Sequence, residues 1–204
     1  KNLKALRHAA GLGAALFGRM VTGDILARGD AAIHVAHAFT VHEEQSEADY
    51  FSAVDDLVRT GDDAQLGSGH IGSSELTSGL FYGYVVVDIP LLLSNLEGCK
   101  QCDWEDADPS LAGQVLGRLV RTIATVSPGA KLGSTAPYSY AHMILAEAGN
   151  AQPRTLANAF LAPVNLRPDL VRNTYTAVAE ALTDLDETYG WEGHRAVAAL
   201  APKK

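Results

Sequence analysis

His34, His37 and His42, the last followed directly by Glu43 and Glu44, are the residue types that ligate transition metals or pass protons. Their spacing argues against joint chelation, because on a β-strand His34 and His37 point to opposite faces; they read as packing or hydrogen-bonding histidines. Cys99 and Cys102 form one CxxC with neither a second pair nor a suitably spaced His pair. Zinc takes four ligands, so no metal site and no cofactor is expected. Asp55 and Asp56 are adjacent carboxylates, a local pair that more often caps a turn or helix. Lys131 lies in residues 127–135 with Gly129, Gly133, Ser134 and Thr135, where an ammonium, hydroxyls and free backbone amides suit a phosphate. A plain surface turn is the alternative, and the loop lacks the GxxxxGK[ST] pattern. Tyr50, Phe51 and Val54 interrupt the acidic, polar stretch 43–63. Large apolar side chains there either stack on nucleic-acid bases or build a small local core.

The elements that must position these residues follow from periodicity. Leu3, Leu6, Ala10 and Phe17 predict a helix over residues 3–17, weakened by Gly11 and Gly13. Alternation of bulky and small residues over 31–41 predicts a strand, and a second strand is expected within 75–88. The segment between them, 43–74, is far longer than a usual hairpin loop and reads as a functional excursion. A short helix is expected at 91–96, a polar loop at 97–109, a helix from Val115 to Ile123, and a third strand over 138–146 with Tyr138, Tyr140, His142 and Ile144 on one side. A short helix at 155–160 and a long one at 171–189 follow. The long one carries Val171, Tyr175, Val178, Leu182, Leu185 and Tyr189 at spacings of three and four. The tail 196–204 is expected to fray. Strands interleaved with helices give an α+β fold, with a ferredoxin-like antiparallel sheet as the natural candidate.

Composition sets the outer bounds. The chain has 204 residues, 47% hydrophobic and 20% charged, with a net charge of −8. That is enough for a globular core, and such an acidic surface repels phosphate unless its few cations cluster. The longest apolar runs are far too short to span a membrane. The start lacks an initiator Met and a signal-peptide core, so the chain reads as beginning inside a longer protein. Two cysteines make no disulfide framework, which fits a reducing cytoplasm.

The stretch AIHVAHAFTVHEEQSEADYFSAVDDL at 32–57, with HIGSSELTSGLFYGYVVVDIPLLLSNL at 70–96, resembles the CasC-type backbone subunit of type I-E CRISPR Cascade complexes. Gly18-Arg19-Met20, Pro128-Gly129-Ala130-Lys131, Leu156-Ala157-Asn158-Ala159-Phe160 and Pro163-Val164 extend the resemblance in order along the chain. It implies an RNA-recognition-like palm (1–42 and 75–195, incomplete), an inserted thumb hairpin (43–74) and a tail (196–204), truncated before an N-terminal part. It also implies a non-catalytic subunit that coats CRISPR RNA beside copies of itself and other Cascade subunits. Target DNA is then read by guide pairing. By the same resemblance, Tyr50, Phe51 and Val54 wedge against nucleic acid, Met20 and Ile71 clamp a kinked nucleotide, and Arg19, His70, Lys131 and Ser134 contact RNA. A rival is a ruler-type ribonuclease using metal at Asp55 or Asp56. A third reading is a protein-only interaction domain docking through the helix at 171–189.

Overall fold

In a computed structural model, the described residues are 11–20, 29–53, 70–127 and 136–200. In chain order they form helix α1 (Gly11–Phe17), strands β1 (Ile33–Val35), β2 (Phe39–Thr40), β3 (Gln45–Ala53), β4 (His70–Ser78), β5 (Phe81–Tyr82) and β6 (Val85–Val87), helix α2 (Ile89–Glu97), a 3-10 helix (Gln101–Asp106) and helix α3 (Ser110–Thr125). Strand β7 (Met143–Ala148), a second 3-10 helix (Ala157–Phe160), helix α4 (Leu170–Tyr189) and strand β8 (His194–Ala199) complete them. The class is α+β, as the interleaved periodicities require. The chain divides into two compact units: residues 1–37, 83–155 and 183–204, and residues 38–82 and 156–182.

The first unit is built on the antiparallel pair β1–β6, with Ile33 opposite Val87. Leu16, Ala32, Ile33, Leu92, Leu93, Ala112 and Val115 make its buried core, and Trp104, Leu116 and Leu119 pack against it. Helix α2 begins where Asp88 accepts the Leu91 amide at 2.9 Å and ends at Gly98, whose φ of 68° takes the left-handed turn that a side chain disfavours. Its Asn95 amide donates to the carbonyls of Ala15 and Asp30, both at 3.0 Å, tying the helix to the chain around α1. The polar stretch after α2, expected as loop, closes into a 3-10 turn.

Two expectations for this unit change. The third strand starts only at Met143, because Tyr138 donates to the Ala136 carbonyl at 2.8 Å in a tight turn about Pro137, which turns the chain away from an extended ladder. The tail, expected to fray, supplies β8, which pairs antiparallel with β7 from Met143↔Ala199 to Ala148↔His194. A short alanine-rich strand owes its order to that distant partner, which no local pattern announces.

At one end of this sheet Glu147 stands opposite Arg195. Arg195 reaches Glu147 at 2.7 Å and Asp186 at 2.8 Å, and Arg154 reaches Glu147 at 3.0 Å and also bonds Asp186. Both guanidinium groups lie over the Trp191 ring, 4.6 and 5.1 Å from its centre. Hydrogen bonds from Arg195 and then Arg154 pull the Asp186 carboxyl down to about 2. Burial pushes Glu147 up, but the bonds from Arg154 and Arg195 outweigh it and leave its carboxyl below the ordinary value.

The second unit holds two antiparallel ladders, β2–β5 and β3–β4. Its apolar centre is an aromatic triad: Phe39 and Tyr82 at 5.4 Å, Tyr82 and Phe160 at 5.4 Å, and Phe39 and Phe160 at 6.2 Å between ring centres. The Tyr82 hydroxyl accepts the Leu156 amide at 2.9 Å, and the Val164 amide donates to the Val41 carbonyl at 2.9 Å. Within α4 the expected stripe is buried at Val178, whereas Tyr189, its last member, is 79% exposed. The predicted strand over 31–41 breaks at residues 36–38 into β1 and β2.

Candidate functional site

A two-stranded ribbon overlaps the excursion expected at 43–74 and extends past it, because its second strand runs on to Ser78, into the residues expected to begin the next strand. Strands β3 and β4 pair antiparallel over nine rows, from Gln45↔Ser78 to Ala53↔His70. Residues directly opposite each other share a face. One face therefore carries Ser46, Ala48 and Tyr50 with Thr77, Glu75 and Ser73, and all six are exposed. The other carries Glu47, Asp49 and Phe51 with Leu76, Ser74 and Gly72, where Asp49, Gly72, Ser74 and Leu76 are half-buried. Tyr50 is 68% exposed and Phe51 44%. The two rings are thus bare on opposite faces and do not form one apolar tip. Phe51 lies across Gly72: a Cβ there would meet the ring Cζ at 2.5 Å, so glycine makes the space the ring occupies.

The ribbon's charge is one-sided. Glu43, Glu44, Glu47, Asp49 and Glu75 face no lysine or arginine among the described residues 38–53 and 70–82. Such a surface repels a phosphate chain.

At its root, residues 41–44 lie opposite only Gly79 and Leu80, so the first strand carries two extra residues there. His42, 6% exposed, fills this bulge. Its Nδ1 is 2.6 Å from the Glu43 carbonyl, and its Nε2 takes the Leu80 amide at 3.1 Å. The tautomer that satisfies both carries its proton on Nδ1. Gly79 leaves room for the imidazole: a Cβ at that position would sit 2.8 Å from Nε2.

The predicted site residues distribute as follows. Tyr50 and Phe51 are in β3. His70 and Ile71 take backbone positions opposite Ala53 and Ser52, which brings four of the predicted positions into the ribbon. Arg19 and Met20 belong to the first unit. Arg19 exchanges backbone hydrogen bonds with Gly29, at 2.8 and 3.1 Å, and Met20 is 85% exposed. Gly18 before them has φ 76°, and a Cβ on it would come within 2.7 Å of the Gly29 carbonyl. Val54, Asp55, Asp56, Lys131 and Ser134 lie outside the described residues. Cys99 is half-buried and Cys102 exposed. The hydrogen bond to Asp103, at 3.3 Å, holds the Cys102 thiol above its ordinary pKa and makes it a poor nucleophile. Among the described residues no three His, Cys, Asp or Glu side chains converge as metal ligands. The reading of His42 as a packing or hydrogen-bonding histidine holds, but its place at the root of the ribbon was not legible in the sequence. Only the pairing register brings His42 against Gly79 and Leu80.

One protein family, described as CT1975-like protein, matches residues 1–204. None of the curated proteins matches the chain. Two solved structures share its fold at a TM-score of 0.74: a chain of a "CRISPR RNA-guided surveillance complex, pre-nicking", 24% identical over 95% of this chain, and a chain of a "CRISPR RNA-guided surveillance complex", 27% identical over 98%. This chain spans about half (49%) of the first and 74% of the second.

Proposed function

The chain belongs to the CT1975-like protein family, and from that premise we propose that it is a non-catalytic, guide-RNA-binding backbone subunit of a type I-E CRISPR surveillance complex. It coats CRISPR RNA beside copies of itself and the other subunits, and it shapes guide pairing to target DNA. The palm is RNA-recognition-like and the ribbon is its thumb. The observation that carries this reading is the ribbon itself: nine paired rows with Tyr50 68% exposed on one face and Phe51 44% exposed on the other, lying across Gly72. An aromatic ring on each side suits a blade inserted between stacked bases, whichever side it meets first. The resemblance of residues 32–57 and 70–96 to the CasC-type subunit and the shared fold with surveillance-complex chains support it.

Full-length protein is incubated with guide RNA, complementary RNA and magnesium, and sedimentation and gel analysis follow both strands. The expected result is RNA-dependent assembly with both RNAs intact. Tyr50→Ala weakens the RNA affinity by about 5- to 150-fold, the range that one stacked base supplies. Regular cleavage of the complementary strand, abolished by Asp55→Ala, would replace this reading with a metal-dependent ribonuclease. A protein indifferent to RNA would end it.

A further inference from the structure

The acidic ribbon leaves open where the phosphates of a bound strand are neutralised. Three of the seven arginines among the described residues are already engaged. Arg154 and Arg195 are paired to Glu147 and Asp186, and Arg172 lies near Asp169. The longest tract without a carboxylate runs from Pro109 to Ala146, although the chain has twenty-four Asp and Glu. In a protein of net charge −8, such a tract adds no carboxylate of its own to repel a polyanion.

The tract builds α3 and the segment leading into β7. Helix α3 turns Ala112, Val115, Leu116 and Leu119 to the core, and Arg118 and Arg121 outward. Neither guanidinium has a side-chain partner among the described residues. The Ala141 amide donates to the Ala124 carbonyl at 2.8 Å, which fastens the segment 136–141 beside the last turns of the same helix. Two large rings on that segment stay in solvent: Tyr138 is 76% exposed and Tyr140 68%. Exposed aromatic rings on a segment fastened to the end of a helix that carries two outward arginines without side-chain partners are a combination by which proteins hold single strands.

We propose that Tyr138 and Tyr140, with Arg118 and Arg121, form a second contact surface for single-stranded RNA, the rings taking bases and the guanidinium groups taking phosphates. It rests on the reading of the chain as a guide-RNA coat. It divides the labour: the acidic ribbon contributes rings alone, and this surface contributes the counter-charge.

The test uses full-length protein and a fluorescein-labelled single-stranded RNA carrying photoreactive 4-thiouridine. In the wild-type protein, cross-links map to Tyr138 or Tyr140 as well as to the ribbon. Tyr138→Leu and Tyr140→Leu each lower affinity roughly 5- to 150-fold. The pair Arg118→Gln and Arg121→Gln lowers the slope of log affinity against log salt by about 1.4, two single-strand phosphates' worth. Unchanged circular dichroism shows that the variants fold. Cross-links confined to the ribbon, with normal affinity in all three variants, overturn this surface and leave the ribbon reading standing. Variants that bind RNA normally but no longer self-associate make it a protein contact and overturn it too. Absence of RNA binding in the wild type sinks the functional reading and this surface together.

Discussion

Phe51 and Gly72 form the tightest residue-scale relation in the ribbon, since the ring occupies the volume that any side chain at position 72 would claim. Gly72→Ala is expected to evict the ring, at a cost of about 1 kcal/mol to ribbon stability. Nuclear Overhauser contacts between the Phe51 ring and the residue 72 backbone would then disappear. Retained contacts would show that the strand yields in place of the ring. Side-chain identity made Tyr50 and Phe51 visible in the sequence, as apolar residues out of place in acidic surroundings. Their separation to opposite faces was also implicit, because neighbours on a strand always diverge; it emerged only once both were known to lie on one.

At the element scale the excursion was legible and its root was not. Length and composition marked 43–74 as more than a loop, and the structure supplies β3 and β4 there. The bulge that aims them depends on a mismatch of two residues between strands about forty positions apart, and on His42 reading the Leu80 amide across it. His42→Phe keeps the ring's bulk and removes both polar contacts, stranding the Leu80 N–H. The expected loss is about 1–3 kcal/mol in urea unfolding, with faster amide exchange at Leu80. His42→Gln, which restores an acceptor, should recover part of it. Equal losses in the two variants would mean that shape alone matters. The strand at β8 escaped notice for a related reason: alanine carries little intrinsic preference, and β7 supplies the order.

For the molecule as a whole, the fold class followed from alternating periodicities, and the core from the stripes of α2 and α3. The network of Glu147, Arg154, Asp186, Arg195 and Trp191 did not, because its members come from well-separated points of the chain. It carries a pH signature. Asp186, pulled down to about 2 from an ordinary 3.8, favours the folded state above that ordinary value, and the benefit is lost as pH falls toward about 2. The thermal midpoint of Asp186→Asn should therefore lie below that of the wild type at neutral pH, with the gap closing as acid is added down to about pH 2. A gap independent of pH would place the effect in packing over the indole.

A ribbon of nine paired rows has two outer strand edges, each a row of backbone groups ready to recruit another chain. Copies crowded side by side would be at risk of zipping together into insoluble sheets. Glu47 and Asp49 on one strand and Glu75 on the other make such pairing costly, since like charges would be driven into contact. On the proposed reading, the carboxylates that unfit this blade for phosphate would also hold its edges apart from a neighbour's and leave contact to its rings.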